Sequence, residues 1–410
     1  MTDQGTATAS VAVEDAPLPL ICCAADKTYG AGASVPGIDD DAPGATSTDP
    51  TSLGIHWIDK VYETARYHWR FPDSGFVQPG AFTDELGRFY ASIATHNCPA
   101  SGLVRIEDAV LVGSVLYANT GTEPAIIYET YRPNDRPAVQ TASRDTIASA
   151  ERTRFADPGW RCLYIGSAGS SNYGHWLVDD LPRLRAVTTL FRHGGHPVRV
   201  LINSFGAKID EVRIQSIRQF LEPSVHIDLV DPAVAYHFGE LYFATPVTQH
   251  PVQKSPVAID FAVRRILSNL DADGPSADSP TLIFVDRSTQ HGRTLSNHDE
   301  IIDLVQQRGF TIVDPAALTF AEQVRLFSSA QVIIGQMGAA MTNTMFSRPS
   351  TTLIYLAPSG WIEPFYWDLA VVRGQYYRVL YGDVADTSVA PHRSNFRIDP
   401  HSLRAALDAL

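Results

Sequence analysis

The sequence predicts an α/β protein with two domains, and three observations carry that prediction. The chain has 410 residues, 44% of them hydrophobic, enough to build two cores. From Thr281 onward, short apolar runs alternate with amphipathic ones, the rhythm of a parallel sheet covered on both faces. Between the halves lies Asp271–Pro280 (DADGPSADSP), a linker by composition.

Residues 1–52 are rich in Ala, Thr, Asp, Gly and Pro and read as a disordered tail. The apolar patch Pro17–Cys23 is too short for a core, and Asp39, Asp40 and Asp41 read as a solvated acidic run. An α/β domain over 53–270 follows. Its expected strands are Leu111–Tyr117, Ala125–Tyr128, Arg161–Gly166, Val198–Asn203, Val225–Val230 and Glu240–Ala244. Its expected helices are Gly174–Phe191, Asp210–Leu221 and the connecting Gln253–Leu270. A second domain over 281–385 has strands at Thr281–Asp286, Thr311–Val313, Val332–Gly335, Thr352–Leu356 and Tyr377–Leu380. Helices are expected between them at Asn297–Arg308, Thr319–Ser328, Met341–Phe346 and Pro364–Val372. A tail over 386–410 ends in a helix from about Pro400.

Net charge −13 and a pI near 5.4 argue against a duplex nucleic acid as partner. A local arginine cluster can still hold a small anion. Cys22, Cys23, Cys98 and Cys162 form no Cys-x-x-Cys pair, so neither a zinc site nor a disulfide framework is expected, and a reducing cytoplasm fits. No apolar run reaches membrane-spanning length and no secretory signal is visible, which leaves peripheral membrane association open. The only lysines are Lys27, Lys60, Lys208 and Lys254; the bias to arginine is associated with GC-rich bacterial genomes.

Four segments carry candidate chemistry. In IIGQMGAAMTNTMF (Ile333–Phe346) a strand enters a small-residue turn and a helix start, which presents backbone N–H groups to an anion. Gly338 and Ala339 leave the main chain approachable, and Asn343 can bind a ligand or cap the helix. After the strand ending at Asp286, Arg287 and Arg293 on one loop can grip a diphosphate; the alternative is surface charge. Asn297 and Glu300 have the spacing of a capping box.

In Asn172–Arg183, His175 and Asp179 stand four apart, so a carboxylate can orient an imidazole for general-base work. Asp180 is the substitute carboxylate. The structural alternative pairs Asp179 or Asp180 with Arg183 or Arg185. Finally, Glu363-Pro364-Phe365-Tyr366-Trp367 offers aromatic faces, with Trp361 and Tyr366 expected at a cleft edge. No convincing Asp-x-Asp element lies in a strand-end loop, and no Walker lysine, G-x-S-x-G turn or dinucleotide G-x-G-x-x-G fingerprint is present, so neither metal nor cofactor is expected.

At these residues the chain resembles glycosyltransferase family 61. The resemblance runs over roughly 160–380, through NYGHWLVDDLPRL, DRSTQHGRTLSN, GFTIVDPAALTFAEQVRLFSSAQVIIG and GQMGAAMTN. In the last, the family's G-x-H-G-A-G-L-T-N histidine is Met337 and its third glycine is Ala340. The resemblance implies a GT-B architecture, two Rossmann-like domains with an interdomain cleft. It implies inverting, metal-independent transfer from a nucleotide sugar, UDP-linked by expectation, to a glycan acceptor, as in capsular polysaccharide synthesis. It further implies His175 and Asp179 as base and orienter, with Arg287, Arg293, Gly338, Ala339 and Asn343 at the donor. Met337 opens a second expectation, a catalytically silent nucleotide- or sugar-binding relative.

Overall fold

The computed structural model describes residues 18–23, 50–68, 81–93, 95–119, 123–131, 139–152, 155, 159–167, 169–249, 251–270, 279–287 and 293–410. The acidic run Asp39–Asp41, most of the N-terminal tail and most of the expected linker lie outside these residues.

The first half builds a ten-stranded mixed sheet. Its strands are β1 (Leu20–Ile21), β2 (Ile55–Tyr62), β5 (Ser101–Val112), β6 (Val115–Ala118), β7 (Ala125–Ile127), β8 (Glu151–Arg152), β9 (Arg161–Tyr164), β10 (Val198–Asn203), β11 (His226–Val230) and β12 (Ala235–Ala244). Between β2 and β5, β3 (Ala65–His68) and β4 (Thr95–Cys98) pair separately. The main order is β1-β7-β6-β5-β12-β9-β10-β11. One side of the sheet is an antiparallel meander (β5, β6, β7), and the other is a parallel run from β12 to β11.

Three expectations need correction here. Leu111–Tyr117 is not one strand but the turn of a hairpin, because Gly113 adopts φ +59° and reverses the chain. The patch Pro17–Cys23 does reach a core: Leu20–Ile21 adds as an edge strand parallel to β7 and buries Leu20, Ile21 and Cys23. A segment too short to make a core can borrow one by strand addition.

The third is Gly174–Phe191, which is not a continuous α-helix. It runs α-helical over Tyr173–His175, π-helical over Trp176–Asp180, 3-10 over Leu181–Leu184 and α-helical over Arg185–Arg192. Pro182 explains the break, since a proline inside a helix lacks a donor and its ring collides with the preceding turn. The widened turn clears that clash, and the Tyr62 hydroxyl donates to the Pro182 carbonyl at 2.6 Å.

The second half builds a six-stranded sheet ordered β14-β13-β15-β16-β17-β18. These strands are β13 (Leu282–Val285), β14 (Thr311–Val313), β15 (Val332–Gln336), β16 (Thr352–Pro358), β17 (Tyr376–Val384) and β18 (Phe396–Arg397). All pairings are parallel except β17 with β18. Both faces are covered, which is why β15 and β16 read as unbroken apolar runs. Thr319 and Glu322 form a full capping box on helix Phe320–Ser329. The expected box at Asn297 does not form; Asn297 instead bonds both ways with the Ile398 backbone, at 2.9 and 3.2 Å.

The halves are packed together. One hydrophobic cluster contains Val61 and Trp176 from the first half and Met337, Tyr355 and Tyr381 from the second. Helix Ala81–Ser92 leans on the second half, with Tyr90 against Trp367 (3.7 Å) and Phe82 against Tyr381 (4.8 Å). A buried ion pair, Lys254 Nζ to Asp368 Oδ2 at 3.1 Å, ties the connection to helix Pro364–Arg373, and the Tyr67 hydroxyl caps the other Asp368 oxygen at 2.6 Å. No helix among the described residues is long and apolar enough to cross a membrane.

Candidate functional site

The site lies where the helix start at Asn172 meets the loops after β13, β15 and β16. Asn172 caps that helix, accepting from Gly174 N at 2.8 Å. Gly174 is required by packing. A Cβ there would lie 2.6 Å from Thr342 Oγ1 and 3.5 Å from Ala339 Cα, so only glycine lets the helix start lie against the turn after β15. His175 is the next residue and is therefore held at this junction.

Asp179 orients His175: Nδ1 and Asp179 Oδ2 are 2.8 Å apart. The other Asp179 oxygen accepts from the Thr248 hydroxyl, just beyond β12. His175 also meets Phe365 edge to face, with centroids 5.5 Å apart. Asp180 points elsewhere. It accepts from Ser170 Oγ at 2.7 Å and pairs with buried Arg183 at 2.9 Å, and burial raises its carboxyl above the usual aspartate range against the pull of Arg183. Arg183 also donates to the Ala244 and Gly166 carbonyls. This is the structural pairing, and it falls on Asp180 and not on Asp179.

The two arginines converge on the Met337–Gly338 bend. A Cβ on Gly338 would lie 3.4 Å from Arg287 Nη1, so that guanidinium covers the bend. Arg293 donates to the Met337 carbonyl and, at 3.0 Å, to the His392 carbonyl, while its guanidinium lies 4.3 Å above the Trp361 ring. Its backbone is left-handed at φ +41°, a conformation that costs a non-glycine residue about 1–3 kcal/mol.

Burial lowers the Arg287 pKa, with Tyr366 opposing; burial and then the charge of Arg287 push Arg293 down to about 10, with Tyr366 and Glu363 opposing. Both stay charged near neutral pH. Two desolvated cations that repel one another form a site that an anion relieves. Residues 288–292, between them, lie outside the described residues.

Gly338, Ala339 and Ala340 are half-exposed at the start of the 3-10 helix Ala339–Phe346, whose leading N–H groups have no intrahelical acceptor. Asn343 is not on that surface. It is buried, accepts from the Tyr173 hydroxyl at 2.9 Å, and donates to Gln323 at 2.8 Å and the Ala340 carbonyl at 3.1 Å. Its amide joins the two halves. Met337 is buried too and offers the site only its backbone.

Between His175 and the arginines stands the segment Trp361–Tyr366. Trp361 supports Arg293, as above. Tyr366, expected at the cleft edge, is buried against Tyr355 and Phe365. Lys254 Nζ sits 4.0 Å from the Phe365 ring centre. Glu363 is half-buried and caps helix Pro364–Arg373 by accepting from Phe365 N at 3.0 Å. Burial raises its carboxyl, and the bond from Phe365 N and then the charge of Lys254 oppose the rise.

Sequence reasoning weighs only the aromatic residues of Glu363–Trp367 and not Glu363 itself, although the Glu-Pro step is a helix-start signal. Thr248 left no signal at all. Beside this segment a cavity of about 580 Å³ opens at the carboxyl ends of β16 and β17, lined by Ser359, Gly360, Asp383 and, from helix Ala81–Ser92, Glu85 and Arg88.

No curated protein matches the chain. Residues 173–354 match the family model described as Glycosyltransferase 61.

Proposed function

From a chain that carries a glycosyltransferase family 61 domain over residues 173–354, we infer an inverting transfer of a sugar from a UDP-linked donor to a carbohydrate hydroxyl, without a metal ion. The observation that carries this reading is the convergence of Arg287, Arg293 and the Gly338 bend beside the helix start that holds His175.

With Nδ1 held by Asp179, His175 Nε2 takes the proton from the acceptor hydroxyl. The acceptor oxygen attacks the anomeric carbon as the bond from that carbon to the diphosphate oxygen breaks. The electron pair leaves with the diphosphate, and Arg287, Arg293 and the N–H groups of Gly338 and Ala339 stabilise the charge that develops there. The nucleoside occupies the cavity beside Ser359 and Gly360. In this reading 53–270 presents the acceptor and 281–385 the donor, as in a GT-B enzyme, on the cytoplasmic side of a pathway to capsular or other surface polysaccharide.

The test is a panel of nucleotide sugars with oligosaccharide acceptors in EDTA, with product configuration read by NMR. The expected result is turnover of a UDP-sugar with inversion and no loss in EDTA. A strict manganese requirement or a retained configuration rejects the mechanism. A second reading, a silent nucleotide-sugar binder, is favoured by Met337, whose buried side chain gives a ligand nothing. UDP binding without turnover of any donor supports it.

A further inference from the structure

The carboxylates around the site differ in what their oxygens already hold. Asp179 uses one oxygen on His175 and the other on Thr248. Asp368 uses one on Tyr67 and the other on Lys254. Asp180 uses one on Arg183 and the other on Ser170. Glu363 differs from these three. Its Oε1 accepts from Phe365 N, and its Oε2 has no hydrogen-bond or ion-pair partner among the described residues. The cap bond and the following proline fix the carboxylate, so Oε2 is an oriented, open acceptor.

Its place matters as much as its valence. Two residues before it, Trp361 lies under Arg293; two residues after it, Phe365 touches His175. Glu363 is thus on the wall between the diphosphate grip and the base. A sugar joined to a diphosphate at Arg287 and Arg293, with its anomeric carbon presented to a hydroxyl at His175, must pass that wall.

We propose that Glu363 is a specificity-determining residue that accepts hydrogen bonds from hydroxyls of the transferred sugar and selects neutral sugars over uronic acids. It rests on the donor reading given above. A carboxylate welcomes hydroxyl donors and repels a second carboxylate in the same low-dielectric space. An isosteric amide still accepts a hydrogen bond but no longer repels.

The test is calorimetry of UDP, UDP-glucose and UDP-glucuronate with the wild-type protein and with Glu363→Gln. Gln keeps an acceptor for Phe365 N, and an unchanged melting temperature checks that the cap survives. Wild type is expected to bind UDP-glucose about tenfold or more tightly than UDP-glucuronate, and Glu363→Gln to lose most of that difference. UDP alone is expected to bind both proteins equally. Equal binding of the two sugars by wild type, or the same preference retained in Glu363→Gln, overturns the assignment of Glu363 while leaving the donor site intact. Failure of UDP itself to bind overturns the donor reading, and this inference falls with it.

Discussion

Asp179 and Asp180 follow one another on a single widened turn, yet their carboxylates meet different surroundings. Asp179 faces the junction of the halves, where it holds the His175 ring and is itself held by Thr248. Asp180 faces the interior of the first half, where Ser170 and Arg183 close both of its oxygens. The π turn separates them, because it rotates the chain just where Pro182 would otherwise force a clash. Adjacent acids of one type thus divide into an orienter and a fastening. Chemical type did not decide which is which; the elements that each oxygen reaches did.

That division can be broken from either side. His175→Ala removes the proposed base and is expected to lower kcat by about 10²–10⁴-fold with little change in melting temperature. A large thermal loss with normal turnover by the surviving protein would reverse the roles. Asp180→Ala is expected to do the opposite: it strands a buried guanidinium and costs roughly 3–5 kcal/mol of stability, read by denaturant titration. Lost activity should track lost folded protein. A fully stable but inactive Asp180→Ala would return Asp180 to the chemistry. Thr248→Ala sharpens the picture with the smallest change. It leaves one Asp179 oxygen without its donor and is expected to cost about 1 kcal/mol, roughly fivefold in kcat, with stability nearly unchanged.

The two halves also differ in how legible they were. Strands β14 to β16 were read almost to the residue, since parallel strands covered on both faces are continuous apolar runs between helices with clear starts. In the first half, β2 and the helix Ala81–Ser92 left too little pattern, because a strand with exposed positions and a helix that packs on a distant sheet mix polar and apolar residues, and in β5 the half-buried Arg105, Glu107 and Asp108 interrupt an otherwise buried run. The broken helix was misread because Pro182 was given too little weight.

At the site, the pairing of His175 with Asp179 followed from helical spacing, and Arg287 from its position at a strand end. Asn343 was open between ligand and helix cap in the sequence, with the donor role implied by the resemblance; only the fold shows Tyr173 and Gln323 meeting it. Glu363 was hidden for the same reason, since its open oxygen is defined by what other carboxylates have already bound.

Calorimetric titration of UDP in EDTA, wild type against Arg287→Ala, tests the convergence at the Gly338 bend most directly. Wild type should bind without a divalent cation, and Arg287→Ala should keep its fold while losing about 1.5–3 kcal/mol, on the order of 10- to 150-fold in Kd. Wild-type binding that needs manganese, or an Arg287→Ala protein that binds UDP as tightly as wild type, would contradict it.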